Sequence, residues 1–203
     1  IDQQPTPAPK KDWGNYYALV IGNNNYNHWS KLSTAVNDAE EIAEILEEKY
    51  NFKMTYPPAS LYSGESTLLI NKGYEEISNA IYEFRETLGS NDNLLVYYAG
   101  HGYLDSEENQ GYWIPTDAKL KQRSKWINNT YILNNLKAAD AKHILVIADS
   151  CFAASSSHQL LATYLHRHTP RSSSYVKKLG GQKLPSQVLS PCLCAYKCVP
   201  GHQ

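Results

Sequence analysis

Two short stretches carry the side chains most able to do chemistry. "YYAGHGYLD" (Tyr97 to Asp105) sets His101 between Gly100 and Gly102, and "IADSCFAA" (Ile147 to Ala154) sets Cys151 two residues after Asp149. Each reactive group follows an apolar run and so stands at the end of a candidate strand. An imidazole within hydrogen-bond reach of a thiol can hold or take its proton, and the thiolate so formed attacks carbonyl carbon. The flanking glycines admit a tight turn and the close approach of a substrate backbone. In such a site the amide N–H groups of Gly102 and Cys151 would point at the oxyanion of a carbonyl under attack. Singly, neither residue demands this reading. A lone cysteine at a strand end is most often a small buried hydrophobe, and a histidine in a glycine turn a polar loop residue.

The pair gains meaning from the elements that must hold it. In open α/β sheets, functional groups gather beyond the carboxyl ends of the strands. His101 and Cys151 are 50 positions apart, room for one helix and a crossover between parallel neighbours. The run "YYALVIGNN", apolar on both faces, reads as a central strand, and "STAVNDAEEIAEILEEKY" as an amphipathic helix. In that helix Val36, Ala39, Ile42/Ala43, Leu46 and Tyr50 recur at helical spacing behind a Ser33 or Thr34 N-cap. "FKMTY" suggests a second strand and "TLLIN" a further short apolar piece. "KGYEEISNAIYEFRETLG" follows as a helix with Ile77, Ile81, Phe84 and Leu88 on one face and Gly89 at its C-cap. "DNLLVYYAG" is a buried strand ending at the histidine, and Pro115 makes "GYWIPTDA" an edge or hairpin piece. "NTYILNNLKAADA" reads as a third helix before "KHILVIADS", the strand that delivers Cys151. Alternating strands and helices define an α/β class with a mostly parallel sheet.

Composition limits the alternatives. Nineteen Lys and Arg nearly balance twenty Asp and Glu, for a net charge of −1, so there is no basic footprint for a nucleic acid. No apolar stretch has the length of a membrane span, and the chain reads as a soluble domain, cytoplasmic or exported. The 203 residues suit one domain with tails. Residues 1–14, rich in Pro, Gln and Lys, read as a linker running in from something upstream, and residues 15–153 as the catalytic body. Residues 154–203 show no sustained period and read as a divergent, weakly ordered C-terminal segment. The first 150 residues contain no cysteine, which excludes a disulfide framework for the body. Cys192, Cys194 and Cys198 crowd the tail in a C-x-C-x₃-C spacing that matches no zinc pattern, even with His202 nearby. His28, His143 and Trp29 read as structural or surface residues, and "GNNNYN" is a poor phosphate-cradling loop, which disfavours a flavodoxin-like binding domain.

Over residues 16–152 the pieces "YYALVIGNNNY", "LSTAVNDAEEIAEILEEKYNF", "DNLLVYYAGHGYLD", "GYWIPTDA" and "WINNTYILNNLKAADAKHILVIADSCF" resemble, in order, the caspase-like cysteine peptidases, especially their bacterial and metacaspase branch. The resemblance implies an α/β/α sandwich and hydrolysis of a peptide or protein substrate through an acyl-enzyme. It makes His101 the general base and acid, Cys151 the nucleophile, and Gly102 and Cys151 the oxyanion donors. It also implies that Asp38, in the "NDA" piece, and Asp149 form an acidic pocket favouring Arg or Lys before the cut. The plainer reading makes Asp38 a helix N-terminal acid and Asp149 a turn residue. No cofactor is required on this reading, although calcium is required in parts of the family. The resemblance stops after Ala153, where the family's later strands are not recognisable. The rival expectation is therefore a non-catalytic caspase-like module with an incomplete cleft, acting through protein contacts.

Overall fold

The apolar run of residues 15–22 becomes β1 (Asn15–Gly22), whose last six residues are all buried because layers cover both of its faces. The computed structural model describes residues 12–105, 107–152, 159–166 and 177–178. In chain order the elements are β1, α1 (Ala35–Tyr50), β2 (Leu68–Ile70), α2 (Tyr74–Thr87), β3 (Asp92–Asp105), β4 (Gln110–Trp113), β5 (Ile127–Asn128), α3 (Asn129–Ala138), β6 (His143–Phe152), β7 (Gln159–His166) and β8 (Lys177–Lys178). One sheet runs β2-β1-β3-β6-β7-β8, with β4 and β5 attached beyond β3. The pairs β1–β2, β1–β3 and β3–β6 are parallel, whereas β6–β7 and β3–β4 are antiparallel.

Strand alternation sorts side chains onto two faces, each with its own core. On one face Tyr17, Leu19, Ile21, Leu94, Val96, Tyr98, Ile144 and Val146 pack against α2 and α3 through Ile77, Ile81, Phe84, Ile132 and Leu136. On the other, Ala18, Val20, Tyr97 and Ala99 meet α1 through Ala35, Ala39, Ala43 and Leu46, with Leu95 and Ile147 half-buried beside them. This is the α/β/α sandwich the resemblance implied, with side chains such as Phe84 and Ile81 fully buried and each stabilising by roughly 1.5–3 kcal/mol.

The structure revises several sequence expectations. "FKMTY" makes only isolated bridges, Lys53 with Tyr17, Thr55 with Ser66 and Tyr56 with Ser63, and the strand beside β1 is the "LLI" piece instead. Lys53 alone bonds to β1, its N–H donating to the Tyr16 carbonyl and its carbonyl accepting from Ala18, while Met54 accepts from Thr67, too few bonds to make a ladder. Tyr50 lies outside the packed stripe of α1 and is exposed, because Leu46 is the last side chain to reach the sheet. α2 closes on Leu88, one residue before the expected Gly89. Most significantly, β3 does not stop at His101 but runs on to Asp105, since β4 supplies an antiparallel partner from Gly102 onward. The linker residues 1–11 and the Cys192, Cys194, Cys198 and His202 cluster lie outside the described residues. Among the described residues no helix is long and apolar enough to cross a membrane.

Gly22 decides how closely α1 approaches the sheet. A Cβ there would stand 2.6 Å from the Ala39 Cβ and 2.8 Å from the Ala35 carbonyl oxygen, so the helix rests on bare backbone. Gly22→Ala should therefore push α1 outward and destabilise the domain by about 1–3 kcal/mol, read as a lower urea midpoint. An unchanged midpoint would show that the helix is not held this tightly.

Candidate active site

Parallel register brings the two sequence candidates together. His101 is the register partner of Cys151 across β3 and β6, on adjacent strands ~4.8 Å apart. Ala99 pairs with Asp149, and Gly102 with Phe152, so the two candidate oxyanion residues, Gly102 and Cys151, sit one register step apart on adjacent strands. His101 shares the parity of Tyr97 and Ala99, which places it on the face covered by α1.

The segment between β1 and α1 builds the wall around the imidazole, and asparagines fold it. Asn71, in a left-handed conformation, accepts from the amides of Asn24 and Asn25, while Asn23 exchanges hydrogen bonds with the Lys72 backbone. Asn24 also reaches the Val36 amide at the start of α1. These bonds turn the chain so that Tyr26, Trp29 and Ser30 close on His101. The His101 Nε2 lies 2.7 Å from the Ser30 carbonyl oxygen. A carbonyl only accepts, so Nε2 carries the proton and Nδ1 is the basic nitrogen of the neutral ring. The Ser30 hydroxyl is a further 3.3 Å neighbour of Nε2.

Aromatic rings pack the imidazole from its sides, Tyr26 at 4.6 Å and Trp29 at 5.6 Å between centroids. Trp29 continues to Trp126, and Trp126 to Tyr103 and Tyr112. Burial in this setting lowers the His101 pKa from its ordinary 6.5, against the opposing pull of the Ser30 carbonyl, so the imidazole is neutral at neutral pH. The sequence had assigned Trp29 a structural or surface role, but the fold makes it a neighbour of His101. The aromatic-rich "NNNYNHWS" was its one visible signal, and no periodicity connects a loop residue to a strand end 72 positions on. His143, by contrast, is structural, its Nδ1 donating to Asn93 Oδ1 at 2.9 Å, and His28 is exposed.

Asp38, in the first turn of α1, comes close to Asp149 at the end of β6. Burial raises the Asp38 pKa first of all, a hydrogen bond with Thr34 opposes the rise, and the charges of Asp149 and Glu41 add to it. Asp149 is exposed and accepts a long 3.4 Å hydrogen bond from the Tyr97 hydroxyl. Two neighbouring carboxylates on the α1 face of the sheet therefore repel one another, and a cation entering between them would relieve that repulsion. Among the described residues no three His, Cys, Asp or Glu side chains form a metal-holding group. The acids nearest the β3–β4 turn, Asp105 and Glu108, are both engaged by Arg123.

An α/β/α sandwich with histidine and cysteine in register on neighbouring central strands defines a caspase-type domain, and the chain belongs to the caspase domain family, whose model matches residues 15–203. That match runs past the motif-bearing stretch into the tail. Among curated proteins the chain is 33% identical over 127 residues to human mucosa-associated lymphoid tissue lymphoma translocation protein 1, covering 62% of this chain and 13% of that protein. It is 32% identical over 127 residues to the mouse homologue, with the same coverage. The chain thus spans only about 13% of the length of these relatives. Among solved structures, the crystal structure of protein GSU0716 from Geobacter sulfurreducens aligns with a TM-score of 0.51 at 22% identity, over 68% of this chain and 50% of that one, a likeness of fold.

The environment of His101 gives a direct check. Its pKa in the folded state lies below the unfolded value, so the native protein binds fewer protons there and loses stability as pH falls through 6.5. In Cys151→Ala protein, where no thiol titrates beside it, the His101 ring resonances should show a midpoint below 6.5 by NMR. A midpoint at or above 6.5 would contradict the buried, Ser30-bound neutral ring.

Proposed function

We propose that the domain is a cysteine endopeptidase that cleaves after Arg or Lys. The observation that carries this reading is the register of His101 with Cys151, combined with a ring whose Nε2–H is engaged by the Ser30 carbonyl. With that nitrogen occupied, Nδ1 takes the Cys151 thiol proton. The thiolate then adds to the carbonyl carbon of the scissile peptide bond, and the amides of Gly102 and Cys151 receive the oxyanion. Collapse of the tetrahedral intermediate breaks the C–N bond as the imidazolium gives its proton to the leaving amine, forming a thioester. Water, deprotonated by the neutral ring, adds to the thioester; the acid product leaves and the proton returns to sulfur.

Support for the basic specificity comes from Asp38 and Asp149. A half-buried carboxylate with an acidic neighbour is stabilised when a guanidinium or ammonium sits between them, by charge pairing and by hydrogen bonds whose geometry suits Arg best. No cofactor enters any step.

A panel of fluorogenic peptides tests the whole reading. Arg- and Lys-ending substrates should be hydrolysed and Asp-ending ones spared, with and without a calcium chelator. Cys151→Ala should abolish turnover while leaving the unfolding midpoint nearly unchanged. Asp38→Asn and Asp149→Asn should each lower kcat/KM for the Arg substrate by about tenfold or more, the worth of a charge-assisted hydrogen bond. Preference for Asp-ending peptides would sink the pocket. Full activity in Cys151→Ala would sink the nucleophile, and silence of the intact domain toward every peptide would favour the non-catalytic caspase-like module.

A further inference from the structure

β3 changes partner at the histidine. Up to Ala99 its free edge is covered by parallel β1, the last bond being Asn23 N–H to the Ala99 carbonyl at 3.0 Å. From Gly102 the same edge is covered by antiparallel β4. Between them lies His101, whose backbone groups point to that edge with neither ladder to serve its amide. Two tyrosine hydroxyls fill the gap. The His101 N–H donates to Tyr26 Oη at 2.8 Å, and Tyr98 Oη donates to the His101 carbonyl at 2.7 Å. The Ile114 amide reaches both acceptors, 3.0 Å from the His101 oxygen and 3.2 Å from Tyr98 Oη. The two hydroxyls are neighbours beside the backbone of Gly100.

An amide only donates and a carbonyl only accepts, so Tyr26 Oη is the acceptor for the His101 N–H, and Tyr98 Oη is a donor whose 2.7 Å bond to the His101 oxygen is shorter than its 3.1 Å approach to the Ile114 oxygen. Both rings are firmly seated: Tyr98 is fully buried and stacks on Trp113 at 4.5 Å, and Tyr26 is 5% exposed and packs against the His101 imidazole. Burial also keeps the hydroxyls protonated, with the Tyr26 pKa pushed up to about 12 and that of Tyr98 well above 10. Gly100 belongs to the same device, since a Cβ there would come within 2.6 Å of Tyr26 Oη and 2.8 Å of Tyr98 Oη.

We infer that Tyr26 and Tyr98 are positioning residues, whose hydroxyls clasp the His101 backbone at the break between two strand partners and so hold the base in place against Cys151. The inference deepens the peptidase reading and rests on it for its kinetic consequence. Tyr26 touches both the backbone amide and the ring of His101, so its hydroxyl sets the height of the imidazole as well as its tilt. A displacement of an ångström at a general base is enough to cost about a hundredfold in rate.

The test uses the full chain with Tyr26→Phe and Tyr98→Phe, which keep the rings and remove the hydroxyls. Tyr56→Phe, a buried tyrosine in the core with Phe84, serves as control. The clasp variants should lower kcat about tenfold to a hundredfold with KM within twofold, while the control leaves kcat unchanged at a similar shift in thermal midpoint. In parallel, hydrogen exchange by NMR should show the His101 amide and its Nε2–H losing protection in the clasp variants but not in Tyr56→Phe. A kcat within twofold of the parent, or a His101 amide that stays protected in either variant that folds, overturns the inference. If the parent protein hydrolyses no peptide, the peptidase reading fails by itself. Loss or retention of His101 protection then still decides whether the clasp holds the histidine.

Discussion

Everything chemical in this domain depends on the parallel register of β3 against β6. A pleated pair repeats every two residues, so a slip of one position would carry His101 to the opposite face from α1 and bury it among Tyr98 and Val96. The register is pinned by burial on both sides: Val96 and Ile144 with α2 and α3, Leu95 and Ile147 toward α1. With both faces covered, no slipped pairing keeps the apolar side chains inside. His101 and Cys151 are therefore neighbours because two hydrophobic cores, neither containing them, leave the strands a single alignment.

Around that fixed pair the remaining contacts adjust chemistry rather than architecture. The Ser30 carbonyl selects the ring tautomer, and the aromatic wall of Tyr26 and Trp29 excludes water and lowers the affinity of the base for a proton. Across the face, α1 carries Asp38 toward Asp149, close enough that the Asp149 charge adds to the rise that burial gives the Asp38 carboxyl. The helix can come so near because Gly22 and Ala39 present almost nothing between its backbone and the sheet. Neutral base and paired acids thus arise from the same close packing of the β1–α1 segment over the ends of the strands.

Much of this was legible in the chain. The two-sided apolar runs of β1, β3 and β6 and the stripe of Ile77, Ile81, Phe84 and Leu88 on α2 followed from periodicity alone, because burial on a strand or helix leaves a local pattern. Less visible were features that depend on partners distant in sequence. "FKMTY" has the composition of a strand, yet only the "LLI" piece finds a ladder on β1. β3 was expected to stop at His101, since nothing local announces that β4 will fold back and extend it. Gly100 looked like room for a turn or a substrate; in the fold it is room for two tyrosine hydroxyls.

By itself, the sequence determined the α/β class, the alternation of elements, the two faces of each strand and the candidate pair His101 and Cys151, because hydrophobic period and residue chemistry are properties of the chain read in order. Only the tertiary structure decided that His101 meets Cys151 in register, that Ser30 sets its tautomer, that Asp38 faces Asp149, and that Tyr26 and Tyr98 close on the histidine backbone. These contacts join loops and strand ends through single hydrogen bonds and close approaches, which carry no period. They come into being when the two cores have set the strands and helices at fixed distances.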